Sequence, residues 1–165
     1  MSARVLVLSD THIRRGGSRS LPAAVLAAAA RADAVLHAGD IVTAEVLTML
    51  EELAPVHAVL GNNDHELVGV LPLHRCLTLG DVPIGMVHDS GPSEGRPRRL
   101  RRMFPEASVV IFGHSHQPCS IAGLDGQWLL NPGSSTERRR APTHTMAWLT
   151  LDGPQQIRAE LVHLD

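Results

Sequence analysis

Three short apolar runs in the first half of the chain each break off at a polar turn, and this pattern constrains the fold more than any other feature. They are residues 4–8 (RVLVL), 34–38 (AVLHA) and 56–60 (VHAVL), and they lead into Asp10, Gly39-Asp40 and Gly61-Asn62-Asn63-Asp64. Short apolar runs rich in β-branched residues suit strands buried on both faces. Helical patterns lie between them. Ser20 is a candidate cap for a helix with Pro22 in its first turn, running through the alanines to Arg31. Thr43 opens a second, with Val46, Leu47, Leu50 and Leu53 at helical spacing and Pro55 closing it. Strand, helix, strand, helix, strand predicts a parallel sheet built from right-handed crossovers.

The second half changes character. Residues 75–79 and 83–88 read as strands joined at Gly80-Asp81, 94–104 as a helix and 108–112 (SVVIF) as a buried strand. Shorter strand-like stretches follow at 118–123, 127–130, 144–151 and 156–163, with turns at Asp125-Gly126 and Asp152-Gly153. No repeat, linker or break in composition divides the chain. Residues 1–165 are therefore expected to form one α/β domain whose sheet becomes mixed or antiparallel toward the C-terminus.

Composition narrows the function. At 44% hydrophobic residues the chain can bury a core, and a net charge of −2 gives no electrostatic case for long nucleic acid or an anionic membrane. Its basic cluster, Arg96, Arg98, Arg99, Arg101 and Arg102, reads as a solvated helix face. Cys76 and Cys119 form no metal-binding or redox pair and read as small buried residues. The first residues read as a strand rather than a signal peptide, and no apolar stretch reaches membrane length. A reducing cytoplasm is thus the expected compartment. Ten histidines against four large aromatic residues point to metal or acid–base chemistry.

Metal-ligand residue types gather after the expected strands: Asp10 and His12, Asp40, Asn62 to Asp64, His88, and His114 with His116. In open α/β sheets this edge holds the ligand crevice. Asp10 and His12 are two apart, as are His114 and His116, and in extended chain each pair would point to one side and bite one site. Carboxylate, imidazole and amide together suit Mn²⁺, Fe²⁺ or Zn²⁺ better than a thiolate zinc or an all-oxygen calcium site. Four histidines, two aspartates and an asparagine exceed one ion's needs, and two metals sharing a carboxylate would use them all. Asp10, Asp40 and Asn62 could alternatively be turn residues, a reading the histidines do not share. His57, His74, His144 and His163 lie away from these motifs and read as structural or surface residues.

Asp10-Thr11-His12, Gly39-Asp40, Gly61-Asn62-Asn63-Asp64, His88 and Gly113-His114-Ser115-His116 follow the order of the calcineurin-like metallophosphoesterases. In detail the chain resembles their small, YfcE-type phosphodiesterase branch, as do His37 and Asn131-Pro132-Gly133-Ser134. The resemblance implies a four-layer α/β/β/α sandwich with mixed sheets. It implies one metal held by Asp10, His12 and His116, another by Asn62, His88 and His114, and Asp40 bridging them. Mn²⁺ is the favoured metal, with Fe²⁺, Zn²⁺ or Ni²⁺ as alternatives. Two such ions would supply a bridging hydroxide near neutral pH and neutralise the phosphoryl oxygens of a small phosphate ester.

The wider family carries Gly-Asn-His where this chain has Asn63, an amide that donates a hydrogen bond but no proton. Phosphodiesters are accordingly favoured over monoesters. Asp40, Asn62, Asn63 and Asp64 form the expected catalytic group, with Asp64 orienting a neighbour or capping the loop. His65 is a candidate substitute acid, and His37 a buried supporting residue. Asn131 and Ser134 either line the pocket or make a Pro-Gly turn, and Asp89 departs from the family's glycine. Two alternatives stand beside the phosphodiesterase: a protein-interaction scaffold, as in a retromer subunit with this fold, and a small-nucleotide phosphohydrolase. A homo-oligomer through a sheet edge or the arginine-rich helix is left open.

Overall fold

The computed structural model describes residues 2–165. In chain order the elements are β1 (Ala3–Leu8), α1 (Ala23–Ala29), β2 (Ala34–His37), α2 (Ala44–Glu51), β3 (Val56–Ala58), a 3-10 turn (His65–Leu67), β4 (His74–Leu79) and β5 (Val82–Val87). Then come α3 (Arg96–Met103), β6 (Val109–Ile111), β7 (Cys119–Ala122), β8 (Trp128–Asn131), β9 (Thr145–Leu151) and β10 (Ile157–His163).

They form two five-stranded mixed sheets, ordered β10-β9-β1-β2-β3 and β4-β5-β6-β8-β7. In the first, β1, β2 and β3 are parallel, with Val5 opposite Ala34 and Val35 opposite Val56, while β9 runs antiparallel to β1. In the second, β5, β6 and β8 are parallel, flanked by antiparallel β4 and β7.

The period-two alternation of each strand builds the layers. Leu6 and Leu8 pack with Val25, Ala28, Val46, Leu47 and Leu50 of α1 and α2. Val5 and Val7 face the other way, into a core shared with Ile84, Met86, Val109, Ile111 and Leu130 of the second sheet. On that sheet's far side Val110, Phe112 and Leu129 receive Leu100 and Phe104 from α3 and its end. Each such side chain contributes about 1.5–3 kcal/mol by leaving water. The result is the expected α/β/β/α sandwich.

Local departures from the expected helices have simple causes. Pro22, not Ser20, occupies the cap position of α1, with an extended ψ of 146° and no side-chain cap bond, and the helix stops at Ala29. Thr43 stands at the cap of α2, but its hydroxyl donates to the Ile13 carbonyl (3.0 Å), tying the loop after β1 instead of capping. Leu53 falls beyond the helix and is exposed. Cys76 is exposed and Cys119 half-buried, so neither is the buried residue expected.

Candidate metal centre

The loops leaving β1, β2, β3, β5 and β6 converge at one edge of the sandwich. The first two continue their strands' pairing: the amides of Asp10 and His12 donate to the carbonyls of Gly39 (2.9 Å) and Asp40 (3.0 Å). Asp10, His12, Asp40, His114 and His116 all adopt left-handed backbone, with φ between 44° and 73°. For residues with a Cβ this conformation costs about 1–2 kcal/mol each, and such strain collects at functional sites. The expected extended pairs are therefore not extended. Asp10 and His12 still meet, but His114 and His116 part company and serve different halves of the cluster.

One half comprises Asp10, His12 and His116, all buried. His12 Nε2 lies 3.2 Å from His116 Nε2, 3.7 Å from Asp10 Oδ1 and 3.4 Å from Asp40 Oδ2. In the other half His88 Nε2 lies 3.3 Å from Asp40 Oδ2 and 3.0 Å from Asn62 Oδ1, and His114 Nδ1 lies 3.2 Å from that same amide oxygen. Asp40 Oδ2 stands between the two histidine pairs. Asn62 and His114 are exposed, so this half faces solvent.

Hydrogen bonds on the far side of the rings set their lone pairs. His88 Nδ1 meets the Ala38 carbonyl (2.7 Å) and His116 Nδ1 the Glu137 carbonyl, so both rings carry a proton at Nδ1. Their Nε2 atoms turn into the cluster. Asp10 Oδ1 is buried without a hydrogen-bond partner, 3.5 Å from His116 Nε2 and 3.8 Å from His88 Nε2. Its other oxygen accepts from Ser9 Oγ (2.7 Å) and the His114 amide (3.0 Å). An orphaned carboxylate oxygen ringed by imidazole lone pairs is the donor set of a cation site, so these residues fit a divalent ion.

Electrostatics agree. Burial works to raise the Asp10 carboxyl, but His12, His88, His116 and Ser9 outweigh it and hold it below its ordinary value. Asp40 is likewise held well below the carboxylate range, burial being overcome by His88 and by two donations from Asn63, backbone N and Nδ2, each at 2.8 Å. Burial alone would lower His88, yet the Asp40 hydrogen bond and both carboxylate charges raise it. His116 is lowered, chiefly by burial. Two buried carboxylates thus demand positive charge, which a protonated imidazole or a metal ion supplies.

Asp64 is buried and takes four backbone amides: Ile41 (2.8 Å) and Val42 (2.7 Å) on Oδ1, Asp40 (2.9 Å) and Gly61 (2.7 Å) on Oδ2. As the loop-orienting role expected of it requires, it holds the Asp40 loop against the Asn62 loop, both its oxygens being engaged. Gly61 makes that approach feasible, since a Cβ there would lie 2.2 Å from Asp40 N and Oδ1. Gly113 does the same across the sheets, where a Cβ would fall 1.9 Å from Ser9 Oγ.

The remaining candidates are also placed. His37 is fully buried, accepting from the Gly39 amide at Nδ1 (3.2 Å) and meeting Thr11 Oγ1 at Nε2 (3.0 Å); burial pushes it down to about 4. Ser134 Oγ donates to the Asp10 carbonyl (2.7 Å), and Asn131 Nδ2 to the Gly113 carbonyl (3.2 Å), so both buried side chains brace the ligand loops. His65 is exposed at the start of the 3-10 turn and its side chain makes no hydrogen bond or ion pair among the described residues, so the substitute acid is not brought to the cluster. Asp89 is exposed, 3.9 Å from His114 Nε2.

Two features escaped the sequence reading. Glu137 touches the cluster, with Oε2 3.7 Å from His12 Nε2 and its carbonyl on His116, and no local motif marks it. Arg96 and Arg99 are half-buried and bonded to the chain rather than forming a free solvated face. Arg96 donates to Ser90 Oγ (2.9 Å) and lies over the Phe112 ring, while Arg99 donates to the Ser90 (2.7 Å) and Pro92 carbonyls. They fasten the loop that follows His88.

A profile of the calcineurin-like phosphoesterase superfamily domain matches residues 3–153. A curated protein of Methanothermobacter thermautotrophicus named "Probable metallophosphoesterase" is 38% identical over 158 residues, 94% of this chain and 90% of its own length. Among solved structures, a Thermotoga maritima protein is 33% identical with a TM-score of 0.74, covering 98% of this chain and 99% of that one. Vps29 of Entamoeba histolytica in complex with Zn²⁺, at 24% identity and TM-score 0.74, covers 98% and 99% and shows the same fold. The chain belongs to the calcineurin-like phosphoesterase superfamily. Among the described residues no helix is long and apolar enough to cross a membrane.

Proposed function

We propose that the chain, acting as one domain, is a binuclear metal-dependent phosphodiesterase acting on a small phosphate ester. The observation that carries this reading is the orphaned Asp10 Oδ1 among the Nε2 atoms of His12, His88 and His116, beside an Asp40 oxygen that faces both halves. Asp10, His12 and His116 would hold one ion and Asn62, His88 and His114 the other, with Asp40 between them. Mn²⁺ is favoured, and Fe²⁺, Zn²⁺ or Ni²⁺ would suit the same donors. When bound, such ions supply Lewis acidity and a water acidic enough to attack near neutral pH.

The chain's own residues do the rest. Asp64 and Ser134 hold the ligand loops in register, and His37 and Asn131 brace them. Asn63 fixes both oxygens of Asp40 and, half-exposed at the rim, offers an amide to a phosphoryl oxygen. It has no proton to give a departing oxygen, which favours diesters with good leaving groups over monoesters.

The test is hydrolysis of bis-p-nitrophenyl phosphate and p-nitrophenyl phosphate by metal-stripped protein with and without Mn²⁺, alongside Asp40→Ala. Mn²⁺-dependent cleavage of the diester in preference to the monoester, lost in the variant, is the expected result. No turnover with any of the four metals refutes the reading and leaves the scaffold role first.

A further inference from the structure

Beside the metal cluster, on the His12 side, opens a cleft of about 390 Å³ whose walls include His12, Asn63, Arg14, Arg19, Arg139 and Glu137. It is continuous with the site, because His12 belongs to the cluster and Asn63 holds Asp40. Three arginines in one cleft depart sharply from a chain whose net charge is −2. Arg19 is partly spoken for, donating to the His12 carbonyl (3.1 Å) and lying 3.7 Å from Glu137 Oε2.

Arg14 and Arg139 differ from their neighbours. Arg15 is bonded to both oxygens of Glu45 and also to Glu66 (2.7 Å), and Arg138 donates to the Ala141 carbonyl (2.8 Å). The side chains of Arg14 and Arg139 meet no acceptor among the described residues, although both line the cleft. Arg139 is held there by left-handed backbone, φ 49°.

The opposite flank is unlike this one. There a cleft of about 560 Å³ beside His114 is walled by Phe112, Pro92 and Asp89, and its one arginine, Arg96, is bonded to Ser90. A diester seated at the cluster would send its two arms into chemically different surroundings, one cationic and one largely apolar with an acidic rim.

Resting on the phosphodiesterase reading, we infer that the substrate is a phosphodiester whose one arm carries a second phosphate, received by Arg14 and Arg139. A guanidinium presents a planar fork of donors that pairs with phosphate oxygens two at a time, and two unpaired forks lining one cleft match a doubly charged group. The contacts are solvent-facing, so the preference weakens as salt rises.

Product affinity tests the inference without turnover. Calorimetry on the Mn²⁺-loaded chain compares thymidine 5′-monophosphate with thymidine 3′,5′-bisphosphate, which differ by one phosphate. The bisphosphate is expected to bind about tenfold more tightly, a ratio that falls toward one in Arg14→Gln/Arg139→Gln. Equal affinities, or a ratio unmoved by the double substitution, would overturn it. The p-nitrophenyl 5′-diesters of the same two nucleotides then report kcat/KM, expected to show the same preference and the same loss. If neither diester turns over while the binding ratio holds, the hydrolase reading fails and the arginine cleft stands. Turnover of both diesters at one rate, with equal product affinities, leaves the hydrolase standing and removes the cleft's role.

Discussion

Asp64 is the best place to test whether the site is held by backbone-to-carboxylate bonds. Its side chain is buried and accepts four amides at 2.7–2.9 Å, joining the loops that carry Asp40 and Asn62. In Asp64→Asn the carboxamide oxygen keeps two of these amides, while its NH₂ faces the other two as donor against donor. Two charge-assisted bonds at about 1.5–3 kcal/mol each are lost, giving about 4 kcal/mol of destabilisation. Asp64→Ala leaves all four amides without the carboxylate; water entering the space limits the loss, and about 5 kcal/mol is expected. Urea unfolding at pH 7, followed by fluorescence of the buried Trp148, measures both. The comparison of interest is Asn against wild type, since the alanine variant approaches the whole stability of a domain this size. A loss below about 1 kcal/mol in Asp64→Asn would refute the reasoning, because two unpaired buried amides cannot cost so little.

Four further outcomes follow from the same geometry. His37 has an ordinary value of 6.5 and about 4 when folded, so between these the unfolded chain binds more protons and stability falls as pH drops. Wild type should lose about 1.6 kcal/mol more than His37→Gln between pH 6.5 and 5, read from paired urea melts. Gly113→Ala drives a Cβ to 1.9 Å from Ser9 Oγ and 2.8 Å from Asp10 Oδ2, so a loss of about 2–4 kcal/mol and weaker Mn²⁺ binding are expected by thermal melts and titration. Arg99→Ala frees the loop after His88 and should cost about 1–2 kcal/mol. Exposed Arg98, whose side chain meets no hydrogen-bond partner among the described residues, should cost under about 0.5 kcal/mol when replaced by alanine, in the same unfolding assay.

The sandwich was legible because strand and helix periods alternate cleanly, and Val5-Leu6-Val7-Leu8 splits between two cores as a doubly buried strand must. Residue types at strand ends also marked where the loops would converge. What local pattern could not carry was conformation and long-range support. Nothing in Asp10, His12 or His116 announces left-handed backbone, since the loops between sheets, not propensity, impose it. The divergence of His114 from His116 follows from that same geometry. Glu137 reaches His116 across 21 positions by its carbonyl, a group every residue possesses, so no side-chain signal could reveal it. Arg96 and Arg99 looked like a solvated face because their acceptors are the carbonyls and hydroxyl of a loop with no regular structure. Asp64 was readable only as a turn acid, and its four amides come from two loops that meet in the fold.

Two ions are proposed to share this cluster, with Asp40 between them. Crystals grown with Mn²⁺ and measured at the manganese edge test it directly. The expected map holds two anomalous peaks about 3.5–4 Å apart, one beside His12 and His116 and one beside His88 and His114, with Asp40 between them. A single peak, or none, would contradict the binuclear reading.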